Sequence, residues 1–239
     1  FLTLDALSSE EGNINGDSLQ TSIYQNIVSQ IDSQGLSEAY FDDYDSYLSD
    51  FPAFATFYFT ATGMTVAFDT YIIAPYAAGP QVFDVPYSVF YSALNERAKT
   101  LLEVPQEQIV LSDFDTAATL WSWLFITTPP TENTPDEMEI NGYTYYQADI
   151  PGVSTMAELR ALMYRYFDKA LADRWLEETE RYAEADGRLY VLSADRGSND
   201  SIMDETCSVA LDGESGTVTQ TVTYGEWDEA TQSWAATGE

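Results

Sequence analysis

Residues 70–87, TYIIAPYAAGPQVFDVPY, place the tightest limits on how this chain can fold. Val, Ile, Phe and Tyr favour a pleated, half-buried surface, whereas Pro75 fixes its own φ and pushes Ala74 toward extended geometry. Gly79 supplies a flexible corner, and Pro80 and Pro86 oppose helix across the segment. Two extended runs around an uncharged elbow at residues 74–80 are therefore expected. Just upstream, residues 51–68 carry no charge and are long enough to raise the possibility of a membrane span. Pro52, the Thr-rich, β-branched and aromatic content, and Thr62-Gly63 in the middle favour a hairpin instead. Strands are expected over residues 54–60 and 64–71, with a third over 82–85.

Helical signals flank these strands. Leu19, Ile23, Ile27 and Ile31 fall at successive four-residue steps and Val28 widens the stripe, so a helix capped by Asp17 or Ser18 buries one face until Gly35. Residues 1–7 alternate as a strand would, before a polar loop over 8–17. Pro86 suits the first turn of a helix running through Phe90 and Leu94 toward Lys99. Helix, antiparallel strands and helix in that order suggest an α+β domain.

A boundary is expected within residues 99–115, where Pro105 and Gln106-Glu107-Gln108 interrupt the apolar pattern. Beyond it, residues 111–125 read as a helix and the three prolines within 127–139 as a loop. Asn141-Gly142 introduces a strand over 143–147, Thr155 and Glu158 form a capping box, and a further helix covers 168–178. Asp186-Gly187 joins strands over 182–185 and 188–192. Strands over 207–211, 217–224 and 233–236, with Asp212-Gly213 and Tyr224-Gly225 as turns, complete the chain. The fold class is thus α+β, with two domains, each an antiparallel sheet packed with helices: residues 1–100, a linker over 101–112, and residues 113–239.

Composition narrows function. Nine Lys plus Arg against forty Asp plus Glu give a formal charge of −31, a field that repels nucleic acid and anionic membrane and steers basic proteins toward the surface. Solubility alone, or adaptation to salt, is the simpler reading of the same charge. Aromatics at 14% with recurrent apolar periodicity exclude disorder. The chain has no His, which removes Ser-His-Asp triads, Cys-His pairs and His-ligated zinc. Cys207 is the only cysteine, so neither an intrachain disulfide nor a Cys metal cluster can form, and it reads as a strand residue. The opening Phe1-Leu2-Thr3-Leu4-Asp5 lacks a Met, a basic region and an apolar core, so it is neither a native start nor a signal peptide, and an upstream portion is expected to have been removed.

Residues 40–51, YFDDYDSYLSDF, set four Asp among five aromatics. Asp42, Asp43 and Asp45 are candidates for a carboxylate pair that binds calcium or acts as acid and base in glycan cleavage. The plainer reading is a solvated helix that docks its Tyr, Leu and Phe on a sheet. Asp195, Asn199 and Asp200, with Asp204 and Glu205 nearby, form the best oxygen-rich loop for calcium, against a solvated turn. No cofactor is expected beyond that calcium. In the elbow, Tyr76 is the residue most suited to reaching a partner.

The opening Leu-Thr-Leu-Asp, the amphipathic helix, FYFTATGMTVAFDTYIIAPYAAG and DVPYSVFYSAL together resemble the extracellular domain of RsiV-type anti-sigma factors, which sense lysozyme at bacterial envelopes. The resemblance covers residues 1–98, and its specific part lies over 57–87, particularly Tyr71, Ala74, Pro75, Tyr76, Gly79, Pro86 and Tyr87. Residues 112–236, centred on FDKALADRWLEETERYAEADGRLYVLSADRG, are similar to IseA-type inhibitors of bacterial DL-endopeptidases, most tellingly at residues 186–190 and 195–197. These resemblances imply a non-enzymatic, extracellular or cell-surface protein of a Gram-positive bacterium that binds or inhibits a cell-wall hydrolase or lysozyme. A sigma-binding role is not implied, because no cytoplasmic segment matches. The competing expectation is a glycan-active or glycan-binding protein that uses Asp42, Asp43 and Asp45. The oligomeric state is left open by the residues.

Overall fold

The computed structural model describes residues 3–33, 39–132, 136–193, 201–213, 215–228 and 233–236. They fold as an α+β protein with three antiparallel sheets. By contact, the chain divides into one unit of residues 1–112 with 150–152 and another of residues 113–149 with 153–239.

In the first unit, strands β1 (Ala55–Phe59), β2 (Gly63–Phe68) and β3 (Gln81–Pro86) form an antiparallel sheet with β2 in the centre. Its register sets Phe57 opposite Val66 opposite Phe83, and Phe59 opposite Met64 opposite Val85, so one face is continuously apolar. Helix α1 (Leu19–Ser33) buries Leu19, Ile23, Ile27 and Ile31, the stripe expected from the four-residue spacing. Short helices α2 (Tyr44–Ser49), α3 (Phe51–Phe54) and α4 (Tyr87–Phe90) contribute Leu48, Phe51, Tyr87 and Phe90 to the same core. Each fully buried aliphatic or Phe side chain contributes roughly 1.5–3 kcal/mol relative to exposure. Gly63 is required where β2 starts, because a Cβ there would lie 2.0 Å from the Val85 carbonyl oxygen. The uncharged residues 51–68 form α3 and the β1–β2 hairpin, and no helix of the described residues is long and apolar enough to cross a membrane.

Three local expectations change. Residues 3–7, expected to belong to a strand, form a turn, with Leu7 N–H donating to the Leu4 carbonyl at 2.9 Å. The helix expected from Pro86 to Lys99 breaks into α4, a 3-10 turn at Tyr91–Ala93 and α5 (Glu96–Leu102). Asn95 causes that break. Its side chain accepts from Ala98 N–H at 2.9 Å to cap α5, while its amide donates to the Ala6 and Ser8 carbonyls. The extended run expected before the elbow is also absent, because β2 ends at Phe68 and residues 69–74 turn.

Helix α6 (Gln106–Phe125) begins five residues before the apolar pattern suggests. Pro105 precedes the first turn, where its missing N–H costs nothing, and Gln and Glu are good helix formers despite their polarity. Most of residues 101–112 is therefore helical. In the second unit a four-stranded sheet has the order β4 (Glu137–Ile140), β5 (Tyr143–Gln147), β7 (Arg188–Leu192), β6 (Tyr182–Ala185). Its two hairpins turn at Asn141-Gly142 and Asp186-Gly187, whose four φ values lie between 51° and 83°, as tight two-residue loops require. Helices α7 (Met156–Tyr166) and α8 (Lys169–Glu178) bury Leu159, Met163, Ala172 and Leu176. Arg181 is buried and donates to the Thr127 and Ile126 carbonyls just past the end of α6, where a cation complements the helix dipole.

The third sheet has the order β10 (Ser233–Ala236), β9 (Ser215–Asp228), β8 (Ile202–Asp212). Cys207 lies exposed in β8, opposite Gln220. Tyr224-Gly225 is not a turn but part of β9, where Gly225 is buried and donates its N–H to the Ser201 carbonyl at 2.7 Å.

Candidate partner-binding surface

The acidic segment before and within α2 is shaped by its aromatics. Phe41 N–H donates to the Ile73 carbonyl at 3.0 Å, and Tyr44 N–H then donates back to the Phe41 carbonyl. Leu48 is fully buried, so the short helix is held against the core by its apolar side and presents its acids outward. Asp42, Asp43 and Asp45 are all exposed. Asp45 sits in the first turn of α2, where a carboxylate complements the helix dipole, and accepts from the Tyr24 hydroxyl of α1 at 2.7 Å. That hydrogen bond raises the Tyr24 phenol above its ordinary value. Asp42 and Asp43 make no side-chain hydrogen bond or ion pair with the described residues.

The elbow is built beside this segment. Ile72 N–H donates to the Asp69 carbonyl across a turn in which Tyr71 adopts a φ of 72°. Ile73 and Ala74 are buried, and Pro75 starts a 3-10 turn at Tyr76–Ala78 that ends at Gly79 with φ 72°. The Gln81 side-chain amide ties the corner, donating to the Ala78 and Gly79 carbonyls at 3.1 Å while its oxygen accepts from the Tyr40 hydroxyl at 3.1 Å. The Tyr71 ring meets Phe41 edge-on at 5.3 Å between centroids. Acidic segment and elbow are therefore stitched together at Phe41–Ile73, Tyr40–Gln81 and Phe41–Tyr71.

Tyr76 is 75% exposed and Tyr71 67% exposed, so both rings remain available. The structure thus brings together the segments that carry Tyr76, Asp42, Asp43 and Asp45, although no hydrogen bond links Tyr76 to the three aspartates. Tyr71 was not legible as part of this surface, because Tyr-Ile-Ile reads as strand. Asp69, a favoured first residue of a turn, is the signal that marks it.

Residues 13–88 match the family described as a protein of unknown function, DUF3298. No curated protein matches the chain. The DUF3298 match runs from ahead of α1 to the start of α4, so it includes both the acidic segment and the elbow.

Charge distribution sharpens the picture. Residues 1–96 contain thirteen Asp and Glu and no Lys or Arg. The first cations are Arg97 and Lys99 in α5, and Lys99 is engaged by Glu96 at 2.9 Å. The exposed carboxylates of the DUF3298 region therefore have no positive side chain of their own region to neutralise them. The proposed calcium loop of Asp195, Asn199 and Asp200 lies outside the described residues. Asp204 and Glu205 are exposed on β8, and among the described residues no group of three or more His, Cys, Asp or Glu is placed to hold a metal ion.

Proposed function

We propose that the protein is an extracytoplasmic, non-catalytic binding protein of a bacterial envelope that captures a basic protein, a cell-wall hydrolase or lysozyme, through the first unit. The observation that carries this reading is the cation-free run of residues 1–96 combined with the exposed Tyr71 and Tyr76 of the elbow, which is joined to the segment carrying the exposed Asp42 and Asp43. Uncompensated carboxylates accelerate encounter with a cationic partner, and exposed tyrosines supply the large, rigid contacts that anchor protein interfaces and accept Lys or Arg on the ring face. The DUF3298 match over residues 13–88 includes residues 57–87, the specific part of the RsiV-like resemblance, and it is that resemblance that suggests the class of partner.

Titration of the full chain with lysozyme and with a DL-endopeptidase, at low and at moderate salt, tests the reading. Binding of at least one of them, with association slowing steeply as salt rises, is expected. Failure of both enzymes to bind in either condition overturns it.

A further inference from the structure

The sheet of the first unit has two edges, and the fold treats them differently. Thr60 N–H donates to the Gly63 carbonyl at 2.8 Å to close the β1–β2 hairpin. Hydrogen-bonded and open pairs alternate from there, so Tyr58 with Thr65 is the next bonded pair. Phe57 and Phe59 consequently direct their N–H and C=O groups away from β2. At the opposite edge the same alternation turns the Val82, Asp84 and Pro86 backbones outward. There the Gln30 side-chain amide of α1 donates to the Asp84 carbonyl at 3.0 Å, and Pro86 has no N–H to offer. The β3 edge is blunted at Asp84 and Pro86, whereas the β1 edge is open at both Phe57 and Phe59.

Among the described residues β1 pairs with β2 alone, and no hydrogen bond reaches the outward N–H or C=O of Phe57 or Phe59. The strand ATFYF contains no charge and no proline, and its register is unbroken by a bulge, so it lacks the devices that protect exposed edges. Phe57 and Phe59 pack their rings against the core, which fixes the backbone, while Tyr58 on the other face is 55% exposed.

We propose that the β1 edge receives an extended, basic segment of the partner as a fourth strand. Charge selects that occupant: a second copy of this chain would bring two cation-free regions together, whereas a Lys- or Arg-bearing strand meets the field it complements. Backbone pairing at Phe57 and Phe59 supplies the register, and alternate side chains of the added strand emerge on the two faces, one set beside Tyr58. The inference rests on the basic-partner reading above.

The full chain is titrated with a peptide of alternating Lys and Val, and with the same peptide N-methylated at alternate amides so that its charge is kept and one bonding edge is lost. Amide exchange at Phe57 and Phe59 is followed by NMR. The unmodified peptide is expected to slow exchange at both amides, and N-methylation to weaken binding about tenfold or more. Tyr58→Lys, at an exposed position, is expected to weaken the peptide while leaving the melting temperature unchanged. Equal affinity of the two peptides without protection of Phe57 and Phe59 overturns strand addition and leaves the basic-partner reading standing. No binding of either peptide also overturns it, and the lysozyme titration then decides the broader reading separately. Protection of the same two amides without peptide, at concentrations where the chain dimerises, assigns the edge to a second copy and overturns the proposal.

Discussion

Tyr71 occupies a backbone conformation that glycine would adopt freely, with φ at 72° in the turn closed by Ile72 and Asp69. An L-residue there costs about 1 kcal/mol, yet the ring is mostly exposed and touches Phe41 only along an edge. Strain of this kind persists where surrounding structure over-determines it, and such positions cluster at binding sites. Tyr71→Gly is therefore expected to hold or slightly raise the melting temperature while weakening lysozyme or endopeptidase binding. Tyr76→Ala, which removes a ring with little burial, is expected to change stability by less than about 0.5 kcal/mol and to cost several-fold in affinity. Calorimetric titration alongside thermal melting separates the two effects. Unchanged affinity in both variants would confine the elbow to a scaffold role.

At the level of elements, the start of α7 shows how local chemistry becomes stability. Thr155 Oγ1 accepts from Glu158 N–H at 3.2 Å, and the Glu158 carboxylate accepts from Ser154 N–H at 2.8 Å. The Ser154 N–H foremost, and the Thr155 hydroxyl donating to the same carboxylate at 3.0 Å, hold the Glu158 carboxyl below its ordinary range. A depressed folded value means that the contribution is present above the unfolded carboxylate range, near pH 4.3, and is lost as pH falls through the folded value. Thr155→Ala is expected to destabilise by about 1 kcal/mol, and Glu158→Gln to flatten the acid limb of a stability profile measured by urea unfolding. This capping box, the α1 stripe and the Asn141-Gly142 and Asp186-Gly187 turns were all legible in the sequence, because each depends on residues within one turn or a few turns of one another. The break at Asn95 was not legible. It is set by hydrogen bonds to Ala6 and Ser8, nearly ninety positions away, and apolar periodicity carries no trace of them. The acidic segment and the Pro-Gly elbow could each be singled out alone, but their union depends on Phe41 meeting Ile73 and Tyr71, a tertiary fact.

For the whole molecule, a charge of −31 acts on folding and on capture in opposite senses. Like charges on a compact chain repel, so added salt is expected to raise the melting temperature, whereas the same screening weakens attraction to a basic partner. Scanning calorimetry and binding measured across one salt series check that opposition, and a melting temperature that falls with salt would contradict it. The absence of Lys and Arg through residue 96 also has a chemical consequence for the surface formed by α1, α2 and the elbow. Proteases of trypsin specificity cleave after Lys or Arg, and within the sequence from Phe1 onward Arg97 supplies the first such bond. Even a locally opened first unit offers them nothing within the acidic segment, the elbow or the β1 edge, so such a protease leaves the proposed binding surface on one uninterrupted piece of chain.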